Sequence, residues 1–142
     1  MKITFLGTGT SQGVPVIGCT CDVCRSLDYR DKRLRTSIRI EIQNQSFVVD
    51  TGPDFRQQML RENVDRLDAV IFTHAHRDHT AGLDDVRAYN FKQGIDMPIY
   101  GTEPTLNQLR IEYAYAFSKV SYPGIPRLEL HTIDEKPFEV NG

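Results

Sequence analysis

Thr73-His74-Ala75-His76-Arg77-Asp78-His79 directly follows the apolar run Val70-Ile71-Phe72, so an H-x-H-x-D-H cluster stands at the end of a short buried strand. Three imidazoles and a carboxylate within six residues supply neutral nitrogen donors and one hard oxygen. That mixture suits zinc or a similar divalent ion. In extended backbone His74 and His76 point to the same side and can hold one ion, while the turn through Asp78 and His79 can offer two ligands to a second. A hydroxide shared by two such ions, its pKa lowered toward neutrality, would attack a carbonyl or phosphoryl centre. The bland reading treats each residue alone: a lone His at a strand end is a surface or capping group, and an Asp-His pair is a hydrogen-bonded turn. It fails for the cluster, because packing gives no reason to gather three imidazoles where protonation would make them repel.

Working outward, residues 2–6 alternate and read as a strand that meets the tight loop Gly7-Thr8-Gly9-Thr10-Ser11. Residues 36–42 keep strict period two, with Ile38, Ile40 and Ile42 on one face and Ser37, Arg39 and Glu41 on the other. A return through Ser46-Phe47-Val48-Val49 to Asp50 makes a hairpin. Helical spacing occupies 53–63, 80–91 and 104–117. Residues 118–127 read as a loop, and 128–133 and 138–140 return to strand character. The expected class is α+β, a mixed sheet flanked by helices.

Composition narrows the classes further. At 142 residues, 39% hydrophobic and 25% charged, with seven Phe and six Tyr, the chain has room for one ordinary core and is neither disordered nor a membrane protein by composition. Seventeen Lys+Arg against 19 Asp+Glu give a net charge of −2, so no global basic field holds nucleic acid, which is disfavoured as a partner. The apolar run at 1–7 is too brief for a signal peptide or membrane span, and a cytoplasmic location is expected. Phe138-Glu139-Val140-Asn141-Gly142 runs a strand into a hairpin-turn dipeptide with no returning strand. The expectation is a truncated protein, against the alternative of a frayed tail.

Cys19-x-Cys21-x-x-Cys24 crowds three thiols into six residues, a poor disulfide framework and a better metal loop. Such thiolates close three corners of a tetrahedron about zinc. Buried free cysteines and a redox pair are the competing readings, and the polar flanks argue against the first. The Gly7-Thr8-Gly9-Thr10 loop lacks the Lys-Ser/Thr ending of a P-loop and the third Gly of a dinucleotide fingerprint. It reads as a tight turn bordering the metal site, with room for substrate. Arg56, Asp85 and Arg87 are candidates for substrate phosphate contacts or for pairing behind the metal ligands, although such charges on helical faces are usually solvated.

These motifs together resemble the metallo-β-lactamase superfamily, whose signature is the H-x-H-x-D-H loop. Phe5 through Pro15, Asp50-Thr51-Gly52-Pro53-Asp54-Phe55-Arg56, Gly82-Leu83-Asp84-Asp85-Val86-Arg87 and the cysteine loop are similar to its phosphodiesterase branch, typified by the cyclic-phosphate phosphodiesterase of phosphonate degradation. The specific likeness runs from Met1 to about Arg87. It implies an αβ/βα sandwich of two similar halves, of which residues 1–142 would be the N-terminal portion of a single domain. It implies His74 and His76 on a first metal, Asp78 and His79 on a second, Asp78 holding the nucleophilic water, and Asp50 orienting a ligand imidazole. The remaining ligands, a third His, a bridging Asp and a late His, would come from downstream; His131 does not sit in such a motif. The branch also uses the cysteine loop for a structural zinc, with a late His as fourth ligand.

The function so implied is hydrolysis of small cyclic phosphodiesters by water activated between two divalent ions, zinc or manganese. A tRNA 3′-processing endonuclease is the alternative within the superfamily. A non-enzymatic folded fragment is the alternative outside it. A half-sandwich would expose its inner sheet face, so the chain is expected to pair with itself, a homo-oligomer, and to be inactive for want of ligands.

Overall fold

The computed structural model describes residues 1–118 and 122–140. Six strands lie side by side in chain order: β1 (Lys2–Gly7), β2 (Ser37–Ile42), β3 (Gln45–Val49), β4 (Ala69–Ile71), β5 (Met97–Gly101) and β6 (Leu128–Thr132). The pairs β1–β2 and β2–β3 are antiparallel, and β3–β4, β4–β5 and β5–β6 are parallel. The expected mixed α+β architecture is what forms. Gln43 and Asn44 both take positive φ, 50° and 64°, the geometry a two-residue hairpin turn demands between twisted strands. The expected hairpin therefore closes with Ile42 opposite Gln45.

Among the described residues five α-helices accompany the sheet: α1 (Asp22–Arg25), α2 (Phe55–Arg61), α3 (Arg77–Thr80), α4 (Arg87–Gln93) and α5 (Glu103–Glu112). The sheet's helix-covered face carries Leu6, Val48, Val70, Met97 and Ile99. Phe55 and Met59 of α2, Tyr89 of α4, and Leu106 and Leu109 of α5 pack onto it. Each fully buried Leu or Phe there contributes roughly 1.5–3 kcal/mol.

The opposite face has a smaller cluster, Phe47, Ala69 and Tyr100, joined by Ile40, Ile71, Ile133 and Val140. Among the described residues no helix contributes to that cluster, and at its β1 edge Phe5 is 69% and Ile3 49% exposed. The isoleucine stripe of β2 thus turns away from the helices. Ser37, on the other side of that strand, is buried and donates to Val49 O at 2.9 Å and Asp50 O at 3.0 Å.

Two expectations require correction, and one strand lies where the sequence signalled none. The helix expected over 80–91 is broken into α3, a 3-10 turn at Leu83–Val86, and α4. Gly82 N–H bonds across to Thr51 O at 2.8 Å, so the chain is turned there by a neighbouring loop instead of by its own helical ladder. Residues 138–140 are not a strand; Phe138 stacks on Tyr100 at 5.9 Å and Val140 packs on the smaller cluster. Asn141 and Gly142 lie outside the described residues. β5 escaped the sequence reading because it contains Pro98. Met97 N–H bonds toward β6, so by alternation Pro98 faces β4, whose pairing begins only at Ile99. The missing N–H costs no ladder bond. Among the described residues no helix is long and apolar enough to cross a membrane.

Candidate metal centre

β4 ends at Ile71, and the chain then delivers Thr73, His74 and His76 into α3, which carries Asp78 and His79. The loop is gathered by a buried carboxylate. Asp50, 3% exposed and in the left-handed region at φ 64°, accepts Thr73 N–H on Oδ1 at 2.9 Å and Thr73 Oγ1–H on Oδ2 at 2.8 Å. The same Oδ2 lies 2.8 Å from His79 Nδ1. A carboxylate only accepts, so Nδ1 of His79 carries a proton, which in the neutral imidazole leaves the lone pair on Nε2. Thr73 Oγ1, its hydrogen given to Asp50, accepts from His74 Nδ1 at 3.0 Å, which assigns His74 the same tautomer. A single acid therefore orients two imidazoles, one directly and one through a hydroxyl, the arrangement metal-binding histidines need.

The rings converge. His74 lies 4.6 Å from His76 and 4.1 Å from His79 between centroids. His79 Nε2 faces Asp78 Oδ2 at 3.3 Å, two electron-pair donors aimed at one another, which either a proton or a cation reconciles. Among the described residues, no three of this loop bring all their donor atoms within 4.8 Å; the cysteines do.

Backbone packing fixes the loop against its neighbours. A Cβ on Gly52 would lie 2.3 Å from Asp78 O, and one on Gly82 would lie 2.2 Å from Gly52 O. Three backbone segments interlock where side chains have no room. The loop at 7–11 also serves backbone: a Cβ on Gly7 would meet Arg35 O at 1.9 Å, so glycine there makes room for the neighbouring chain. Sequence reasoning passed over Arg35. Its Nε donates to Ser11 O at 2.9 Å and its Nη1 to Asp54 Oδ1 at 2.9 Å, joining that loop to the start of α2. Nothing but the fold brings these distant positions together.

Of the other candidates, Arg87 pairs with Asp84 at 3.0 Å, and Arg56 and Asp85 line a cleft with Met59, Tyr89 and Lys92. His131 stacks on Tyr100 at 4.8 Å and lies 3.4 Å from Glu129. Beyond α3, Glu112 is raised by burial, but hydrogen bonds from Gln108 and Arg77 outweigh this and hold its carboxyl below the ordinary value.

Cys19, Cys21 and Cys24 converge in the loop whose base is closed by the Val14–Arg33 bridge. Val16 N–H points at Cys24 Sγ at 3.4 Å, and Cys19 Sγ is 3.4 Å from Cys21 Sγ. The Cys24 backbone N–H and the Cys19 thiol lower Cys21, the polarity that favours a thiolate. Cys24 is raised: the Val16 N–H lowers it, but the neighbouring sulfurs and its own desolvation prevail.

Known proteins share this fold. Residues 45–142 match the family model described as a beta-lactamase superfamily domain. A crystal structure of a diphosphatase from the PhnP family superposes with TM-score 0.88 at 40% identity, over 99% of this chain and 53% of that one. The octanoyltransferase of Porphyromonas gingivalis is 44% identical over 142 residues, 99% of this chain but 28% of that protein. The ribonuclease Z of Methanococcus maripaludis is 27% identical over 98% of this chain and 40% of its own length. The chain thus spans about half or less of each of these relatives. Its family model, its mixed sheet and its superposition on the diphosphatase agree that the chain belongs to the beta-lactamase superfamily and has the metallo-β-lactamase fold.

Proposed function

We propose that the intact protein is a metal-dependent hydrolase of small cyclic phosphodiesters. The observation that carries this reading is the chain His79–Asp50–Thr73–His74, which in the neutral imidazoles leaves an Nε2 lone pair on both His74 and His79 within one loop. His74 and His76 would hold one divalent ion, and Asp78 and His79 a second, zinc or manganese. When bound, such ions lower the pKa of water toward neutrality and balance charge on phosphoryl oxygens. Asp78 would orient the attacking water, and Asp50 would keep the imidazole of His79 in its ligating tautomer. Further ligands are expected from the part of the relatives' length that this chain does not span. Cys19, Cys21 and Cys24 would hold a structural zinc, and three unbridged thiols suit a reducing cytoplasm.

Two relatives bear names of enzymes acting at phosphorus, a diphosphatase and a ribonuclease. The name octanoyltransferase is not carried over, since 72% of that protein lies outside the match, the remainder of the 28% covered. The net charge of −2 favours a small substrate over precursor tRNA.

The intact protein is expected to turn over a chromogenic phosphodiester and a cyclic ribose phosphate, to lose this with a chelator, and to regain it with zinc or manganese. Cleavage of precursor tRNA without small-substrate turnover would replace this reading by the endonuclease one, and chelator-resistant turnover would contradict both. The isolated 142-residue chain is expected to show little turnover. Its exposed Phe5 and Ile3 support self-association through the uncovered sheet face. Sedimentation at micromolar concentration is expected to show a species heavier than the monomer, and a compact monomer would contradict it.

A further inference from the structure

α3 is a single turn, and a single turn does not hold itself, because fixing its dihedrals costs more than its few hydrogen bonds return. Yet it carries Asp78 and His79 and follows directly on His76. Its shape must be imposed from outside. Asp50 and Gly52 brace it from the β3 end of the sheet. A second brace comes from the last turn of α5 and the residue after it, about 30 positions further along the sequence.

Tyr113, 5% exposed, donates Oη–H to Thr80 O at 2.7 Å. That carbonyl stands at the end of α3 and has no helical partner beyond it, so the phenol acts as its cap. Glu112 Oε2 accepts Arg77 Nη1 at 2.9 Å and Thr80 Oγ1 at 3.4 Å. Its other oxygen accepts Gln108 Nε2 at 3.1 Å, which fixes the carboxylate on its own helix. Thr80 Oγ1 also lies 3.3 Å from His76 O. These bonds land on the two residues that bracket the Asp78-His79 pair, Arg77 before it and Thr80 after it. Packing alone would be served by Phe at 113 and would need no carboxylate at 112.

We infer that Tyr113 and Glu112 are positioning residues for the metal-holding loop: by gripping Arg77 and Thr80 they set how far His76 stands from the Asp78-His79 pair. This rests on the metal reading above and adds to it an element whose hydrogen bonds go to Arg77 and Thr80 beside the proposed ligands.

The test uses the intact protein in a Cys19→Ser background, so that cobalt(II) at the thiols does not obscure the signal. Tyr113→Phe, Glu112→Gln and the double variant are compared with the parent by cobalt(II) visible spectrum, chelator competition and thermal unfolding of the metal-free form. Cobalt affinity is expected to fall several-fold for each single variant, less than the roughly tenfold at which direct partners of metal ligands begin, and further for the double. The spectrum is expected to shift, and the metal-free form to unfold cooperatively near the parent's temperature. Unchanged affinity and spectrum overturn the inference while leaving the metal reading intact. A loss of metal-free stability with an unchanged spectrum shows a merely structural role and also overturns it. A parent that takes up no cobalt removes both.

Discussion

Gly52→Ala is expected to destabilise the protein by about 3 kcal/mol or more, at the upper end of what overpacking costs. The added methyl would stand 2.3 Å from Asp78 O, and that oxygen is backbone, which cannot swing aside as a flexible side chain would. Relief requires the 50–52 turn and the metal loop to part. Parting them breaks the contact that places Asp50 beneath His79, so metal affinity and stability fall together. Gly94 sets the scale for a glycine needed only for its backbone angle. It has φ 72° and a methyl added there would meet nothing within 4 Å, so its alanine variant should cost about 1 kcal/mol. Urea unfolding of the two variants separates these cases, and equal, small effects would show that the interlock is not tight.

Asp50→Asn is expected to keep the fold and lower metal affinity about 100-fold, the upper end for partners of a ligating imidazole. Asparagine is nearly the same size and tolerates the left-handed backbone at φ 64°. Its oxygen can still accept Thr73 N–H. The difference lies at the second atom, where an NH2 group replaces Oδ2 and donates to His79 Nδ1. The imidazole must then carry its proton on Nε2, which removes the lone pair proposed to hold the metal. Near-parent thermal stability of the metal-free variant would confirm that chemistry, not folding, has been altered.

The sequence disclosed the strands that end in chemistry more readily than the helices behind them. Alternation over 36–42 and the apolar run at 70–72 each report one strand locally, and H-x-H-x-D-H reports its own donors. Asp50 could be tied to His79 only through a family resemblance, since 29 residues separate them and a strand-end Asp before a Thr-Gly turn is an ordinary sight. Arg35, Glu112 and Tyr113 carried no local signal, because their partners at Asp54, Arg77 and Thr80 become neighbours only once sheet and helices are assembled. The broken helix at 80–91 shows the converse. Its apolar spacing is helical, but a cross-loop bond from Gly82 to Thr51 outweighs propensity. β5 was hidden by a proline whose lack of a donor is harmless only because β4 is three residues long.

Whether cations sit in the histidine loop is decided most directly by elemental analysis of the intact protein beside its Cys19→Ser and Asp50→Asn variants. Metal is expected in the parent at both sites, with loss of the cysteine-bound share alone in Cys19→Ser and, after dialysis against a weak chelator, a reduced histidine-bound share alone in Asp50→Asn. Metal content unchanged by Asp50→Asn, or a parent whose metal disappears entirely with Cys19→Ser, would contradict a metal centre built on His74, His76, Asp78 and His79.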